Sequence, residues 1–184
     1  EGSLLSALKA EGLATSLGAG ANNESFDYGF FGADIGLTPL GLEKQDRVLE
    51  LFFAAIAEMR RSGFPQYLFD ERKALARLNE RYADKGEGAN RAVGLANAAR
   101  EYGLEVAERV GYLWLEPDPA GYAALLDRLV PENMLVVVSA KGVPTDRTEP
   151  YFGTQYSYSE TAGARFVSLK NPPRVASIHL PKPN

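Results

Sequence analysis

The spacing of apolar residues along the chain changes period several times, and each change marks an element. Leu4, Leu5 and Leu8 fall on one helical face, Gly2 and Ser3 can cap it, and Gly12 is a natural stop. This predicts a short helix from about Leu4 to Ala10. The period then shortens to two. Leu13, Thr15 and Leu17 alternate, as do Phe26, Tyr28 and Phe30, followed by Ile35 and Leu37. Two strands, antiparallel, are predicted, with the Gly18–Asn23 cluster turning the chain between them.

From Thr38 and Pro39 the helical period returns. Thr38 is a capping residue and Pro39 suits the first helical position. Val48, Phe52, Ile56 and Met59, widened by Leu49 and Phe53, form one apolar stripe that runs to Gly63. Pro65 opens a second helix carrying Leu68, Leu75, Leu78 and Tyr82. The Ala-rich stretch Arg91–Tyr102 predicts a third, Leu104–Tyr112 a short fourth, and Asp118-Pro119 opens a fifth that runs through Leu129. The run MLVVVSA, Met134–Ala140, is β-branched and bounded by turn residues, which predicts a buried strand. Strands near both ends with a helical block between them give an α+β fold, an antiparallel or mixed sheet packed with helices.

Composition narrows the chemistry. The chain has 184 residues, 45% of them hydrophobic, enough for a real core in one domain. A net charge of -4 leaves no basic surplus for phosphates, which speaks against a nucleic-acid partner. No apolar run approaches the roughly 20 residues that cross a membrane. Cysteine is absent and one histidine is present, His179, so neither thiolate metal sites nor a two-histidine zinc motif can be built. His179, in SIHLPKP, reads as a surface or linker residue. No G-x-S-x-G elbow and no phosphate-binding G-K-[ST] occurs. The glycines of GAGANN read as a turn, or as backbone kept bare so that another chain can lie close. The carboxylates Asp70, Glu71, Glu105, Glu108, Glu116 and Asp118 read as solvated helix faces and caps. Asn23-Glu24-Ser25 matches a glycosylation acceptor, a short pattern that arises often by chance. Tyr151, Phe152, Tyr156 and Tyr158 read as aromatics that anchor a tail strand against a core.

Several stretches, taken together, resemble a known family. TDRTEPYFGTQY (residues 145–156) is similar to a segment of the insulin-degrading-enzyme branch of the pitrilysin-like, inverted-motif zinc peptidases. So are EGSLLSALKAEGLATSLGAG, FFGADIGLTPLGLE, LVPENMLVVVSAKG and HLPKPN, in the same order along the chain. The resemblance implies a fold of four homologous α+β domains in two halves, closing around a peptide, with the zinc motif in the first domain. This chain resembles most of the second, non-catalytic domain. Residues 1–170 would form it, and 171–184 the start of the linker between halves. The family's first strand and H-E-G segment would precede Glu1-Gly2-Ser3, so an open sheet edge is expected, filled by self-association or by a partner strand.

What the resemblance implies for function is a fragment of a zinc metalloendopeptidase that degrades peptides. It would help form the substrate chamber and an exosite for the peptide amino end. The exosite strand corresponds to Leu17, Gly18, Ala19, Gly20 and Ala21, where the family usually carries V-G-G-Q, and capture would be by β-augmentation. No cofactor is expected in this chain, with zinc in the parent enzyme, and the chain alone is expected to be inactive. Its partners would be peptide substrates and the other peptidase domains, with no nucleic acid and no membrane. The compartment stays open, with a bacterial periplasm or secretion as the working expectation. The alternative is a stand-alone peptide or protein interaction domain with no enzymatic activity.

Overall fold

A computed structural model of the chain describes residues 2–23, 28–84, 86, 88–160 and 164–183. The chain forms two compact units. The first comprises residues 1–62 and 124–181, the second residues 63–123 and 182–184.

In the first unit, the Ser3 hydroxyl accepts a hydrogen bond from the Ser6 amide at 3.2 Å and opens α1 (Leu4–Ala10). Gly12 ends it at φ 68. The chain then runs into β1 (Ala14–Asn23), which pairs antiparallel with β2 (Gly29–Leu37). Leu17 stands opposite Ile35, Ala19 opposite Ala33 and Ala21 opposite Phe31. The antiparallel pair is as the alternation predicts, but the turn is not. Gly18–Asn23 continues the strand, and the connection falls between Asn23 and Gly29. The glycosylation pattern at residues 23–25 is placed only in part, since Glu24 and Ser25 lie outside the described residues.

Thr38 caps α2 (Pro39–Glu43) by accepting from the Gly41 amide at 3.0 Å. Its own amide donates to the Leu13 carbonyl at 3.0 Å. Gly41 is fixed by this close approach: a Cβ there would clash with the Leu13 carbonyl oxygen, far inside van der Waals contact distance. The single long helix expected from Thr38 is therefore two. The chain breaks at Lys44 (φ -104, ψ 42) and resumes as α3 (Gln45–Ser62). The break keeps α2 on the Leu13 backbone while α3 is aimed through the core.

α3 is buried on two sides. Val48, Leu51, Ala54 and Ala55 pack with Ala7, Leu8, Leu13, Ala14 and Ile178. Phe53 and Ile56 pack with Leu169, flanked by Phe52, Met59, Leu129 and Met134. Leu169 lies on α7 (Ala164–Lys170). Glu58 of α3 is buried and is held by Arg61 at 2.7 Å, with Arg174 at 3.7 Å. Arg47 makes a two-pronged ion pair with Glu11 at 2.7 and 2.9 Å, tying the end of α1 to the start of α3. Arg60 donates to the Leu126 and Leu129 carbonyls, satisfying the open end of α6 (Pro119–Arg128).

The buried strand expected at Met134–Ala140 does not form. The segment carries no ladder among the described residues, and Leu135 and Val137 are 79% and 81% exposed. A β-branched run needs a ladder partner to become a strand, and none of the described residues supplies one. The tail strand expected around Tyr156 and Tyr158 reduces to Gln155–Tyr156 (β4), which pairs with Arg147–Thr148 (β3).

The second unit is helical, with α4 (Gln66–Tyr82), α5 (Gly88–Tyr102) and a single 3-10 turn at Val110–Tyr112. That turn stands where Leu104–Tyr112 predicts a helix; Gly103 and Gly111, without Cβ atoms, weaken helix propagation there. Edge-to-face contacts join Phe64 to Tyr122 and Phe69 to Trp114, each at 5.5 Å. Arg91 pairs with Glu108 at 2.7 Å, and Arg109 pairs with Glu80. Asp118 caps α6 as expected, accepting from the Gly121 amide at 2.8 Å.

Two predictions follow from this packing. Gly41→Ala forces α2 off the Leu13 backbone and is expected to destabilise the fold by about 1–3 kcal/mol, measured by urea unfolding; an unchanged midpoint would refute the close-contact role. Second, their arginine and lysine partners hold the Glu11, Glu58, Glu80 and Glu132 carboxyls below their ordinary value. A depressed folded-state value contributes stability that is complete above the unfolded value of about 4.3 and is lost as pH falls through the folded one. The melting temperature should therefore fall below about pH 4.5, and Glu11→Gln should make that fall shallower.

Candidate functional site

The stretch Leu17–Ala21 lies in the middle of β1. Leu17 faces inward and packs against the core beside Ile35. Gly18, Ala19, Gly20 and Ala21 are exposed. Because strand residues alternate, Gly18 and Gly20 share the face opposite Leu17, and Gly32 stands across from Gly20. The result is a patch of bare backbone beside an edge. β1 pairs only with β2, so its outer edge carries no ladder among the described residues.

These glycines are not explained by the fold. Neither Gly18 nor Gly20 has positive φ. A Cβ added at either would meet nothing within 4 Å. Glycine inside a strand costs stability, because it orders more backbone and packs nothing. That cost has no return within the described structure, unlike the cost at Gly41, where close packing requires it. The edge offers backbone donors and acceptors flanked by side chains too small to discriminate. Cross-strand neighbours normally select each other at 4.5–5.5 Å; here they are glycine and alanine.

Beyond this patch the hairpin ends in exposed aromatics. Tyr28, Phe30 and Phe31 are 52%, 60% and 46% exposed, and Tyr28 meets Phe30 edge-to-face at 5.5 Å. Sequence reasoning missed this cluster as a site because the alternation of Tyr28 and Phe30 reads as a buried strand face. The consecutive pair Phe30-Phe31, which must point to opposite faces, was the available signal.

The other candidates resolve differently. His179 is exposed, but its backbone amide donates to the Gly2 carbonyl at 3.0 Å, and its ring occupies the space a Gly2 side chain would need. It clamps the start of the chain. TDRTEPYFGTQY forms the β3–β4 hairpin. The Glu149 carboxylate accepts from the Tyr151 and Phe152 amides at 2.7 and 2.6 Å, and Gly153 takes φ 68. Tyr151 and Phe152 sit at its tip, 84% and 82% exposed, in contact at 4.7 Å. They do not anchor the hairpin to a core, because the Glu149 turn aims them outward; Tyr156 and Tyr158 are also exposed. Glu108 is paired with Arg91 and Asp118 is a cap, so neither is a free catalytic carboxylate. Among the described residues no group of three histidine, cysteine or acidic side chains could hold a metal ion.

A family model described as the middle or third domain of peptidase M16 matches residues 81–184, and one described as the peptidase M16 inactive domain matches residues 1–75. The chain is 31% identical over 186 residues to the peroxisomal insulin-degrading enzyme-like 1 of Arabidopsis thaliana, covering 100% of this chain and 19% of that protein. It is 30% identical to the insulin-degrading enzyme of Homo sapiens, covering 18% of it, and 30% identical to a nardilysin-like protein of Arabidopsis thaliana. The crystal structure of pitrilysin superposes with a TM-score of 0.85 at 20% identity, over 100% of this chain and 19% of that one. The chain thus spans about a fifth of the length of the relatives it matches.

If the glycines serve something other than the fold, replacing them should not harm it. Gly18→Val and Gly20→Val are expected to leave stability unchanged or raise it by up to about 1 kcal/mol, the strand-propensity gain. Thermal melts of the two variants decide this, and a loss of more than about 1 kcal/mol would assign the glycines to packing instead.

Proposed function

Because the chain belongs to the M16 peptidase family, as a domain of an insulin-degrading-enzyme/pitrilysin-like peptidase, we propose that it is a non-catalytic part of a larger zinc metalloendopeptidase. In that enzyme it forms part of the wall of the substrate chamber and offers the outer edge of β1 as an exosite for the amino end of a peptide. Residues 1–170 make up the domain, and 171–184 begin the connection to the next half. Its partners are peptide substrates and the other peptidase domains. Self-association through an open sheet edge belongs to the same reading, since such an edge accepts a second copy by the same hydrogen bonds.

The observation that carries the reading is the bare, unpaired edge at Leu17–Ala21, with glycines that the fold does not require. An added strand there would gain about four backbone hydrogen bonds at roughly 1 kcal/mol each. Association costs at least about 4 kcal/mol. The two nearly cancel, so the isolated chain should hold a peptide no more tightly than about millimolar. Such weak, sequence-tolerant capture suits a surface that positions varied peptides while other domains supply further contacts.

Zinc belongs to the parent enzyme in this reading. The residues of this chain do not fit it: it has one histidine and no cysteine, and among the described residues no group of three histidine, cysteine or acidic side chains could hold a metal ion. Hydrolysis is assigned to another domain, and no catalytic step is routed through these residues.

The test is an NMR titration with a short peptide bearing a free amino end, carried to millimolar concentration. Amide shifts should concentrate at Leu17–Ala21, and a peptide with alternate N-methylated amides, which cannot form the ladder, should leave them in place. The chain with added zinc should leave the peptide uncut. Shifts confined to other elements would move the exosite elsewhere, and chelator-sensitive cleavage would show that the chain is itself catalytic.

A further inference from the structure

The β3–β4 hairpin holds two large aromatic rings in solvent on a fixed turn. Across its base, the Asp146 amide donates to the Tyr156 carbonyl at 3.1 Å and the Glu149 amide to the Thr154 carbonyl at 2.8 Å. The Gln155 side-chain amide donates to the Thr148 hydroxyl at 2.8 Å, and the Ser157 hydroxyl to the Pro144 carbonyl at 3.1 Å. At the tip every backbone amide is used. Those of Tyr151 and Phe152 donate to the Glu149 carboxylate, that of Gly153 donates to the Glu149 carbonyl at 3.0 Å, and Pro150 has none. The tip is therefore ordered before anything meets it. Its rings touch each other, belong to neither core cluster and remain 84% and 82% exposed. Aromatic side chains have few torsions to freeze, and the backbone that carries these two has already lost its freedom, so burying them costs little ordering.

We propose that this tip is a docking knob and that its occupant is another domain of the same polypeptide, which receives Tyr151 and Phe152 in an uncharged socket. The inference rests on the reading of this chain as part of a larger peptidase, whose relatives carry most of their length outside the matched stretch. Contact area decides between a tethered domain and a separate molecule. Rings of this kind bury about 150–250 Å² each. The pair falls well short of the roughly 800 Å² that each partner gives to a stable interface between separate chains. Neither a second copy nor a separate protein would be held by it. A domain on the same chain needs far less, because the covalent connection supplies a high effective concentration.

The chemistry of the socket follows from the chemistry of the tip. Pro150, Tyr151, Phe152, Gly153 and Thr154 carry no charge, and the Glu149 carboxylate is already committed to two amides. A charged wall would be desolvated there without a partner, so the socket is apolar. It carries one polar group, placed to meet the Tyr151 hydroxyl, because a buried tyrosine hydroxyl requires a hydrogen bond. Phe152 then supplies burial alone, and Tyr151 supplies burial and orientation.

Hydroxyl-radical footprinting of the full-length polypeptide that contains these 184 residues tests it. In the folded protein, oxidation of Tyr151 and Phe152 should run about tenfold or more below its rate in urea, as for fully desolvated rings at the centre of an interface. That protection should persist on dilution and without added peptide. The double variant Tyr151→Ser, Phe152→Ser should raise oxidation at a group of apolar side chains outside residues 1–184, which locates the socket. Four results would overturn the proposal. They are rates near those in urea, protection lost on dilution (a second copy), protection that requires added peptide (a substrate), and a folded double variant with no change outside residues 1–184. The wild-type rates decide even where the double variant unfolds. Peptide cleavage by the same full-length protein is measured alongside. Its absence would sink the peptidase reading and leave the docking result standing, whereas exposed rings in an active enzyme would sink the docking alone.

Discussion

The first unit depends on the two-sided burial of α3. An ordinary surface helix shows one apolar stripe and one wet face. α3 instead presents Val48, Leu51, Ala54 and Ala55 to one cluster and Phe53 and Ile56 to another. Fully burying one such side chain contributes about 1.5–3 kcal/mol, so a helix that does so on two faces can hold distant segments of chain together. It gathers α1, the start of the hairpin and Ile178 on one side, and α7 with Met134 on the other. Small residues make this possible. Ala54 and Ala55 let neighbours approach, and Gly41 lets α2 rest on the Leu13 backbone. The Arg47–Glu11 pair ties the same region together at the surface and contributes less, because both partners are substantially solvated.

From this anchor the hairpin runs outward, and its character changes along its length. Leu17, Ile35 and Leu37 are packed against the core. From Gly18 to Ala21 the residues of β1 are small and exposed, and outward of Gly32 Phe31 and Phe30 of β2 are exposed aromatics. A free hairpin is marginal by itself, so the inner half holds the outer half in register. The inner half is the structural investment, and the outer half is available for contact. The same division recurs in β3–β4, where Glu149 fixes a tight turn while Tyr151 and Phe152 remain in solvent.

Local chemistry was legible in the sequence, and non-local pairing was not. Ser3, Thr38 with Pro39, and Asp118 with Pro119 announce helix starts because a capping side chain satisfies amides two or three residues away. The antiparallel pair was legible from its period. Gly18–Asn23 misled because glycine and asparagine favour turns when nothing else intervenes, whereas here cross-strand register from Leu17 to Asn23 holds them extended. Met134–Ala140 misled for the opposite reason. Its β-branched run has every local property of a strand, but a strand is defined by its partner, and the described residues contain none. Of the candidate site, the edge position and the small residues were legible through family resemblance. The aromatic end of the hairpin was not, because exposure is decided by tertiary packing. The double burial of α3 was hidden for a related reason: two alanines do not register as a hydrophobic face until one sees what lies against them.

The two exposed surfaces differ in a way that bears on their proposed roles. At β1 the backbone is exposed but the neighbouring side chains are glycine and alanine, so hydrogen bonds are the main gain and little depends on the incoming sequence. At the β3–β4 tip the backbone amides are used within the turn and two aromatic rings are exposed, so apolar burial is the main gain and charged partners are penalised by desolvation. A surface of the first kind suits ligands that come and go, since net hydrogen-bond gains are small. A surface of the second kind suits a contact that stays, since the burial of aromatic side chains is large.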